Sequence, residues 1–151
     1  MVGKEEVMLY SDGACKGNPG PGGYGTILVY KEKEKELSGG EALTTNNRME
    51  LMGAIAGLRA LRYPCDVVLT SDSKYLVDGM TKGWARSWQA NGWKKSDGKP
   101  ALNPDLWAEL LSLTERHRVR FVWIKGHAGH PYNERCDRLA VKEAEKYMKK
   151  G

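Results

Sequence analysis

The chain has 151 residues, of which 40% are hydrophobic and 28% are charged, and its formal net charge at pH 7 is +5. These values predict one globular domain over residues 1–151 and exclude a disordered or fibrous chain, while the basic balance favours a polyanionic partner. No apolar run reaches the roughly 20 residues of a membrane span, and the three cysteines lack CxxC spacing, so we expect a cytoplasmic protein with reduced thiols and no membrane association.

The first predicted strand covers residues 7–12, where apolar side chains alternate between two faces and the run ends at an aspartate. Because a glycine-rich stretch, residues 13–25, follows, this acid is expected where the strand gives way to a loop, and ligand sites gather at such ends in α/β sheets. Strands over 24–30 and 37–42 predict a hairpin. The lysines and glutamates of 31–36 are assigned to its solvated tip, with no role beyond keeping a sheet edge soluble.

A long helix is predicted over residues 48–62, because its leucines and alanines follow helical spacing and Tyr63-Pro64 ends it. The next strand, 66–72, is β-branched and again stops at an aspartate, Asp72. A right-handed crossover through the helix would lay this strand parallel to the first. Both terminal acids are then expected at the same end of the sheet.

The second half of the chain predicts two short helices, 75–80 and 84–91, and then a helix that begins at Pro104 with Asn103 as its N-cap. A last strand over 120–124 leads into a glycine-rich loop. The final helix is expected to begin at Asn133.

Four carboxylates fall where these elements are expected to converge: Asp12, Glu50, Asp72 and Asp137. Three of them have a local alternative. Glu50 could form a capping box with Asn47, Asp72 could cap the following helix, and Asp12 could shape a turn with Gly13. Asp137 is expected in the middle of the core-facing stripe of the last helix, with Val141, Ala144 and Met148, where an unpaired ionised group is costly.

Four acids in one place repel strongly, and divalent metal ions are the usual remedy. Oxygen ligands without a histidine or cysteine cluster favour Mg²⁺, with Mn²⁺ as a substitute, over zinc. Two such ions about 4 Å apart form the clamp for in-line displacement at phosphorus, one activating water and the other stabilising the leaving oxygen. His127, in the loop before the last helix, is either incidental or a proton relay at this centre, and we favour the relay.

A second group of residues has the chemistry of a nucleic-acid surface. Tryptophans and lysines alternate between residues 82 and 99, and those we expect to contact substrate are Trp84, Trp93, Lys94 and Lys95. The alternative is that Trp84 and Trp88, one helical turn apart, are core. We expect a core position for Trp88 and partial exposure for Trp84, and Trp93 stays open. Thr45, Asn46 and Asn47 offer neutral donors and acceptors beside Glu50, which suits a test for a 2′-hydroxyl group.

Four segments in this order resemble the type 1 ribonucleases H over nearly the whole chain. They are residues 11–25, which hold Ser-Asp-Gly-Ala-Cys and the glycine-rich run, 44–51 with Thr-Thr-Asn-Asn-Arg-Met-Glu-Leu, 70–73 with Thr-Ser-Asp-Ser, and 126–137. The resemblance implies an α/β fold with a five-stranded mixed sheet flanked by helices. It also implies a nuclease that cuts the RNA strand of an RNA/DNA hybrid duplex and leaves 5′-phosphate and 3′-hydroxyl ends. We expect it to act as a monomer.

By position, the four acids match the family's catalytic metal ligands, with Asp12 shared between the two ions, and His127 matches the mobile-loop histidine with Glu134 near it. Residues matching the RNA side are Cys15, Asn18, Asn46 and Asn47, and those matching the pocket and ring for the DNA strand are Thr45 and Trp84. The segment 84–99 matches the basic protrusion of bacterial members. Lys74 stands where a substrate-contacting glutamine is frequent, so an electrostatic contact is expected there.

Two other classes of protein compete with a hybrid-cutting nuclease. A DNA-cutting relative, such as a transposase or resolvase core, would not need the Thr-Asn-Asn cluster or the basic segment. A hybrid-binding module without activity would need none of the four acids. The chain has all of these features, which favours the nuclease.

Overall fold

The structure is a computed structural model and describes residues 6–126 and 129–148. In chain order its elements are β1 (Glu6–Cys15), β2 (Gly20–Tyr30), β3 (Lys33–Thr44), α1 (Asn46–Arg59), β4 (Asp66–Ser71), α2 (Lys74–Thr81), α3 (Trp84–Ala90), α4 (Pro104–Arg116), β5 (Arg118–Trp123) and α5 (Pro131–Lys146). No helix within these described residues has the length and apolar character that crossing a bilayer requires.

The strands form one five-stranded sheet in the order β3-β2-β1-β4-β5. β2 is antiparallel to both β1 and β3, whereas β4 is parallel to both β1 and β5. The predicted mixed sheet is therefore confirmed. The ladder between β1 and β4 runs as far as the pair Tyr10 and Thr70, which places the carboxyl ends of these two strands, with Asp12 and Asp72, at the same edge as expected.

Helices cover both faces of the sheet. Successive residues of a strand point to opposite faces, so neighbouring residues of β1 contact different helices. On one face α1 lies against β1, where a Cβ on Gly57 would come within 2.6 Å of Leu9 Cδ1. On the other face Tyr10 stacks on Tyr132 of α5, with ring centroids 4.6 Å apart. The core cluster of buried aliphatic residues lies on the α1 side and is closed by α4, whose Trp107 is fully buried.

The sequence predicted that β1 would end at Asp12, and this prediction is wrong. The strand continues to Cys15, and Asp12 pairs with Gly25 inside an antiparallel ladder that reaches Cys15 and Gly22. The glycines therefore form most of a strand rather than a loop, because a sheet with a helix packed closely against it accepts residues that have no side chain. Only the parallel ladder with β4 stops before Asp12, so the acid still stands beyond the point where those two strands separate.

The hairpin between β2 and β3 has a tip of only two residues, Lys31 and Glu32, so the assignment of residues 31–36 to a solvated tip is wrong from residue 33 onwards. The extended ladder places glutamates next to α5. Arg135 of α5 forms ion pairs with Glu34 at 2.9 Å and Glu36 at 2.6 Å. The charged run therefore ties the edge of the sheet to the first turns of α5.

α5 begins at Pro131, two residues earlier than expected, and its buried face differs from the predicted stripe. The buried residues are Asn133, Cys136, Ala140 and Ala144, whereas Met148 is 44% exposed. Asp137 is half-buried beside this face rather than in the middle of it. The correction follows from the close packing of α5 on β2, where a Cβ on Gly25 would lie 2.4 Å from the Cys136 carbonyl oxygen.

Candidate active site

Three carboxylates from three different elements meet at the edge where β1 and β4 separate. Asp12 of β1, Glu50 of α1 and Asp72 after β4 each have an oxygen atom within 4.8 Å of the corresponding oxygens of the other two. Asp12 and Glu50 are buried, at 3% and 5% exposure, and Asp72 is half-buried. Oxygens this close fit ligands that share a cation.

The local alternatives for these acids are wrong. The N-cap of α1 is Thr45, whose hydroxyl oxygen accepts a hydrogen bond from the Arg48 amide at 3.2 Å, so Glu50 belongs to no capping box with Asn47. The N-cap of α2 is Ser73 rather than Asp72. Asp12 accepts a hydrogen bond from the Gly13 amide at 2.9 Å, but both residues lie within β1 and form no turn.

A glycine lets the acid of α1 reach the acid of β1. A Cβ on Gly13 would lie only 2.6 Å from the Glu50 backbone nitrogen and 2.7 Å from the Met49 carbonyl carbon. Backbone atoms cannot yield as a flexible side chain can. Any larger residue at this position would therefore push Glu50 away from Asp12.

The fourth acid, Asp137, arrives from α5. A side-chain hydrogen bond links it to Asp12, and its charge adds to that of Asp72 in acting on the Asp12 carboxyl group. The structure therefore brings together all four acids that the sequence singled out. Three lie within mutual reach of one cation, and the fourth is attached through Asp12.

Burial and mutual repulsion change the protonation of this cluster. Burial, followed by the charges of Asp72 and Asp137, raises the pKa of Asp12 to about 8 from its usual 3.8, although the Gly13 amide acts in the opposite direction. Burial, followed by the charges of Asp12 and Asp72, also raises the pKa of Glu50 well above its usual range. Without a cation the cluster therefore retains protons at neutral pH, and a divalent ion would replace them.

The donor set fits a hard divalent ion. Glu50 Oε1 is buried and has no hydrogen-bond partner among the described residues, and such an acceptor is costly to bury unless a ligand completes it. All donors in the cluster are carboxylate oxygens. Oxygen donors suit Mg²⁺ or Mn²⁺, whereas zinc prefers nitrogen and sulfur.

Several predicted substrate residues gather beside this cluster, around the β1–β2 connection and the start of α1. Asn18 accepts a hydrogen bond from the Asn46 backbone amide at 2.9 Å, which ties the connection to the helix. The Cys15 thiol donates to the Gly17 carbonyl oxygen at 2.8 Å. Asn18 and Asn47 are exposed, and Cys15, Thr45 and Asn46 are half-buried. A side-chain hydrogen bond between Asn46 and Glu50 links this group to the acid cluster.

The remaining predicted substrate residues lie on α2 and on the segment that follows it. Trp84 is 42% exposed, with the Lys82 ammonium 5.4 Å from its ring centroid. Trp88 and Trp93 are half-buried against the core. Lys94 and Lys95 are exposed on a short turn, which a hydrogen bond from the Lys95 amide to the Lys99 carbonyl oxygen closes at 2.8 Å. Lys74 is exposed at the first residue of α2.

One predicted site residue has no described position, and one neighbour of Asp72 was not predicted. His127, the predicted proton relay, lies outside the described residues. Trp123, which the sequence did not single out, ends β5 and donates its indole N–H to the Asp72 carbonyl oxygen at 3.1 Å. Its position follows from the pairing of β5 with β4, which the sequence pattern alone did not establish.

Comparisons with known proteins agree with this geometry. The RNase H family model matches residues 4–145. The chain is 60% identical over 141 residues to a ribonuclease H of Rippkaea orientalis, covering 93% of this chain and 86% of that protein. It is 57% identical over 136 residues to a ribonuclease HI of Synechocystis, covering 89% and 85% of the two chains.

Solved structures have the same fold. LC9-RNase H1, described as a type 1 RNase H with the type 2 active-site motif, is similar with a TM-score of 0.85 and 35% identity, covering 98% of this chain and 76% of the other. LC11-RNase H1 in complex with an RNA/DNA hybrid is similar with a TM-score of 0.71 and 25% identity, covering 93% and 97%.

Proposed function

The chain belongs to the RNase H family, and from that premise we propose that it hydrolyses the RNA strand of RNA/DNA hybrids by a two-metal-ion mechanism that leaves 5′-phosphate and 3′-hydroxyl ends. The observation that carries the proposal is the convergence of Asp12, Glu50 and Asp72 within 4.8 Å at one edge of the sheet, with Asp137 joined to Asp12. A relative bound to an RNA/DNA hybrid supports the substrate class.

The four acids would hold two divalent ions, which we propose to be Mg²⁺, with Mn²⁺ as a substitute. When bound, the ions would lower the pKa of the attacking water and stabilise negative charge on the leaving oxygen. Asp12 would serve both ions, because it forms a hydrogen bond with Asp137 and its carboxylate also lies within 4.8 Å of those of Glu50 and Asp72. Burial of Asp12 and Glu50 orients their carboxylates before the ions bind.

His127 is proposed to relay a proton at the leaving 3′-oxygen. In the sequence it lies between the end of β5 at Trp123 and the start of α5 at Pro131, ten residues before Asp137. An imidazole that titrates near neutral pH is suited to this task. This role is separable from that of the acids, because a relay assists the reaction without holding the ions.

Hybrid recognition is proposed to use two surfaces on either side of the acids. Cys15, Asn18, Asn46 and Asn47 would follow the RNA strand, where neutral donors and acceptors can test for the 2′-hydroxyl group. Thr45 and Trp84 would hold the DNA strand. The exposed Lys94 and Lys95 would contact phosphates through charge, which makes affinity salt-dependent, and the half-buried Trp93 beside them would offer the exposed part of its ring to the duplex. Lys74 would add a cation close to the acids.

The test offers labelled RNA/DNA, RNA/RNA and DNA/DNA duplexes to the purified protein with Mg²⁺, with Mn²⁺ or with EDTA. We expect cleavage of the RNA strand of the hybrid alone, only with metal, and products with 5′-phosphate ends by mass spectrometry. Cleavage of DNA/DNA would favour the transposase or resolvase class, and hybrid binding without cleavage would favour a binding module. We further predict a cytoplasmic monomer, which sedimentation and cell fractionation test.

A further inference from the structure

Trp123 occupies an unusual position at the end of β5. It pairs with Ser71 at the end of β4, and its indole N–H donates to the carbonyl oxygen of Asp72 at 3.1 Å. The residue is 41% exposed, so a large, partly solvent-exposed aromatic ring contacts the main chain of an acid of the cluster. Its role is therefore not to fill the hydrophobic core.

The ammonium group of Lys74 rests on this ring. Lys74 Nζ lies 4.9 Å from the centroid of Trp123, within the roughly 6 Å range of a cation–π interaction. Among residues 6–126 and 129–148, no carboxylate forms an ion pair with this lysine. Its charge is therefore oriented by an aromatic ring and remains available to an anion.

Helix stability does not explain the lysine. Lys74 is the first residue of α2, and the first turn of this helix contains no acidic residue. A cation at a helix N-terminus is unfavourable, because the helix dipole is positive there. A positive charge at this point, two residues from Asp72, does not stabilise the helix but can bind an anionic ligand.

We propose that Trp123 is a positioning residue that holds the Lys74 ammonium beside the acid cluster to bind a backbone phosphate of the RNA strand, and that fixes the Asp72 main chain through its indole N–H. This inference rests on the proposed function. Four acids repel an approaching phosphate, so a cation next to them offsets that repulsion. An exposed lysine side chain is otherwise mobile, and the ring restricts where its charge can lie.

The first experiment measures hybrid binding in EDTA, where no cleavage occurs, as a function of salt. Lys74→Met should reduce the steepness of the plot of log affinity against log salt by about 0.7 to 0.9, the value for one phosphate contact. Trp123→Leu should weaken binding by about 2-fold to 5-fold, which is the range for an exposed cation–π contact. Trp123→Phe, which keeps a ring, should bind like the parent.

The matched control is Lys31→Met. Lys31 also lies over an aromatic ring, 5.3 Å from the centroid of Tyr30, but at the hairpin tip, on the opposite end of the sheet from Asp72. Its replacement should leave the salt dependence unchanged. If Trp123→Leu weakens binding equally whether residue 74 is Lys or Met, the ring does not act through the lysine and the inference fails. The hybrid-binding measurement is repeated with Trp123→Thr, because threonine also removes the aromatic ring and is a good strand-forming residue.

The second experiment follows Mg²⁺ titration by the chemical shifts of backbone amides. Trp123→Phe removes the N–H that holds the Asp72 carbonyl group, and residues that orient metal ligands typically change affinity by at least about 10-fold. Lys74→Met should not weaken Mg²⁺ binding. If Trp123→Phe binds Mg²⁺ with the same affinity as the parent, Trp123 does not position Asp72 through its indole N–H, and that part of the inference fails. If the parent itself neither binds nor cuts hybrids, the proposed function fails; if the parent does both and all variants match it, only this inference fails.

Discussion

The acid cluster should make the metal-free protein less stable as the pH rises, and Asp12→Asn should remove the part of that loss that Asp12 contributes. The pKa of Asp12 in the folded protein is about 8, against 3.8 as the usual value. A folded-state pKa above the unfolded one means that the stabilising contribution is complete below pH 3.8 and is lost as the pH rises towards 8. Asparagine keeps an oxygen for the Gly13 amide but cannot ionise.

The size of the effect follows from this pKa difference. Between pH 5 and pH 7 the unfolded chain has released the proton of Asp12 and the folded chain retains it, so each pH unit costs about 1.36 kcal/mol of unfolding free energy. The free energy of unfolding of Asp12→Asn relative to the parent should therefore improve by about 3 kcal/mol across this interval. For a chain of this length, that corresponds to roughly 5 to 12 °C in melting temperature.

Urea unfolding in EDTA at several pH values between 5 and 7.5 measures this difference directly. Glu145→Gln is the matched control, because Glu145 is an exposed acid of α5 and its replacement should give a curve parallel to that of the parent. Added Mg²⁺ should raise the stability of the parent at pH 7 and have little effect on Asp12→Asn. A constant offset between Asp12→Asn and the parent at all pH values would refute the view that burial and repulsion keep this acid protonated.

Three further substitutions test other parts of the molecule. His127→Ala should slow RNA cleavage without abolishing it, and an unchanged single-turnover rate would make this histidine incidental. Changing the three lysines of segment 94–99 to glutamine should flatten the salt dependence of hybrid binding by about 0.7 to 0.9 for each phosphate that the segment no longer neutralises; an unaltered slope would remove the segment from the interface. Glu34→Gln combined with Glu36→Gln should lower the melting temperature by about a few degrees at most, because both ion pairs with Arg135 are lost but both are exposed to solvent, and a parental melting curve would contradict this role.

The mixed sheet and the convergence of acids were predictable because they depend on strong, local patterns. Two strand-like runs that each lead to an aspartate, with one helix in the segment between them, leave a parallel pair as the economical arrangement. This pairing is enough to place Asp12 and Asp72 at one edge of the sheet. The four motifs shared with the ribonucleases H pointed to the same edge.

The errors arose where tertiary packing overrides local signals. Glycines 13–25 have a loop composition, yet most of them belong to strands because α5 and α1 approach β1 and β2 too closely for side chains. Residues 31–36 have the composition of a solvated tip, and the sequence does not reveal the partner of Glu34 and Glu36, because Arg135 is about 100 residues away. Neither the close approach of the helices to residues 13–25 nor the ion pairs of residues 31–36 can be recognised from the local sequence.

Trp123 is a residue near the site that the sequence analysis did not single out. A tryptophan at the end of a strand has no distinguishing local pattern, and its significance emerges only once β5 lies beside β4 and its indole reaches the Asp72 carbonyl group. The sequence identifies Lys74 as a cation near the acids. It does not identify the ring that orients this cation.

The central claim is that the acids hold the ions that perform hydrolysis, and a comparison of Asp12→Asn with the parent tests it most directly. Binding of a labelled RNA/DNA hybrid is measured in EDTA, and single-turnover cleavage is then started with saturating Mg²⁺. We predict equal hybrid affinities within about 3-fold and a cleavage rate at least about 1,000-fold lower for the variant, since losing the ions removes several kcal/mol of transition-state stabilisation. A variant that binds the hybrid and cuts it at a rate within about tenfold of the parent, a difference of only about 1.4 kcal/mol, would contradict the claim.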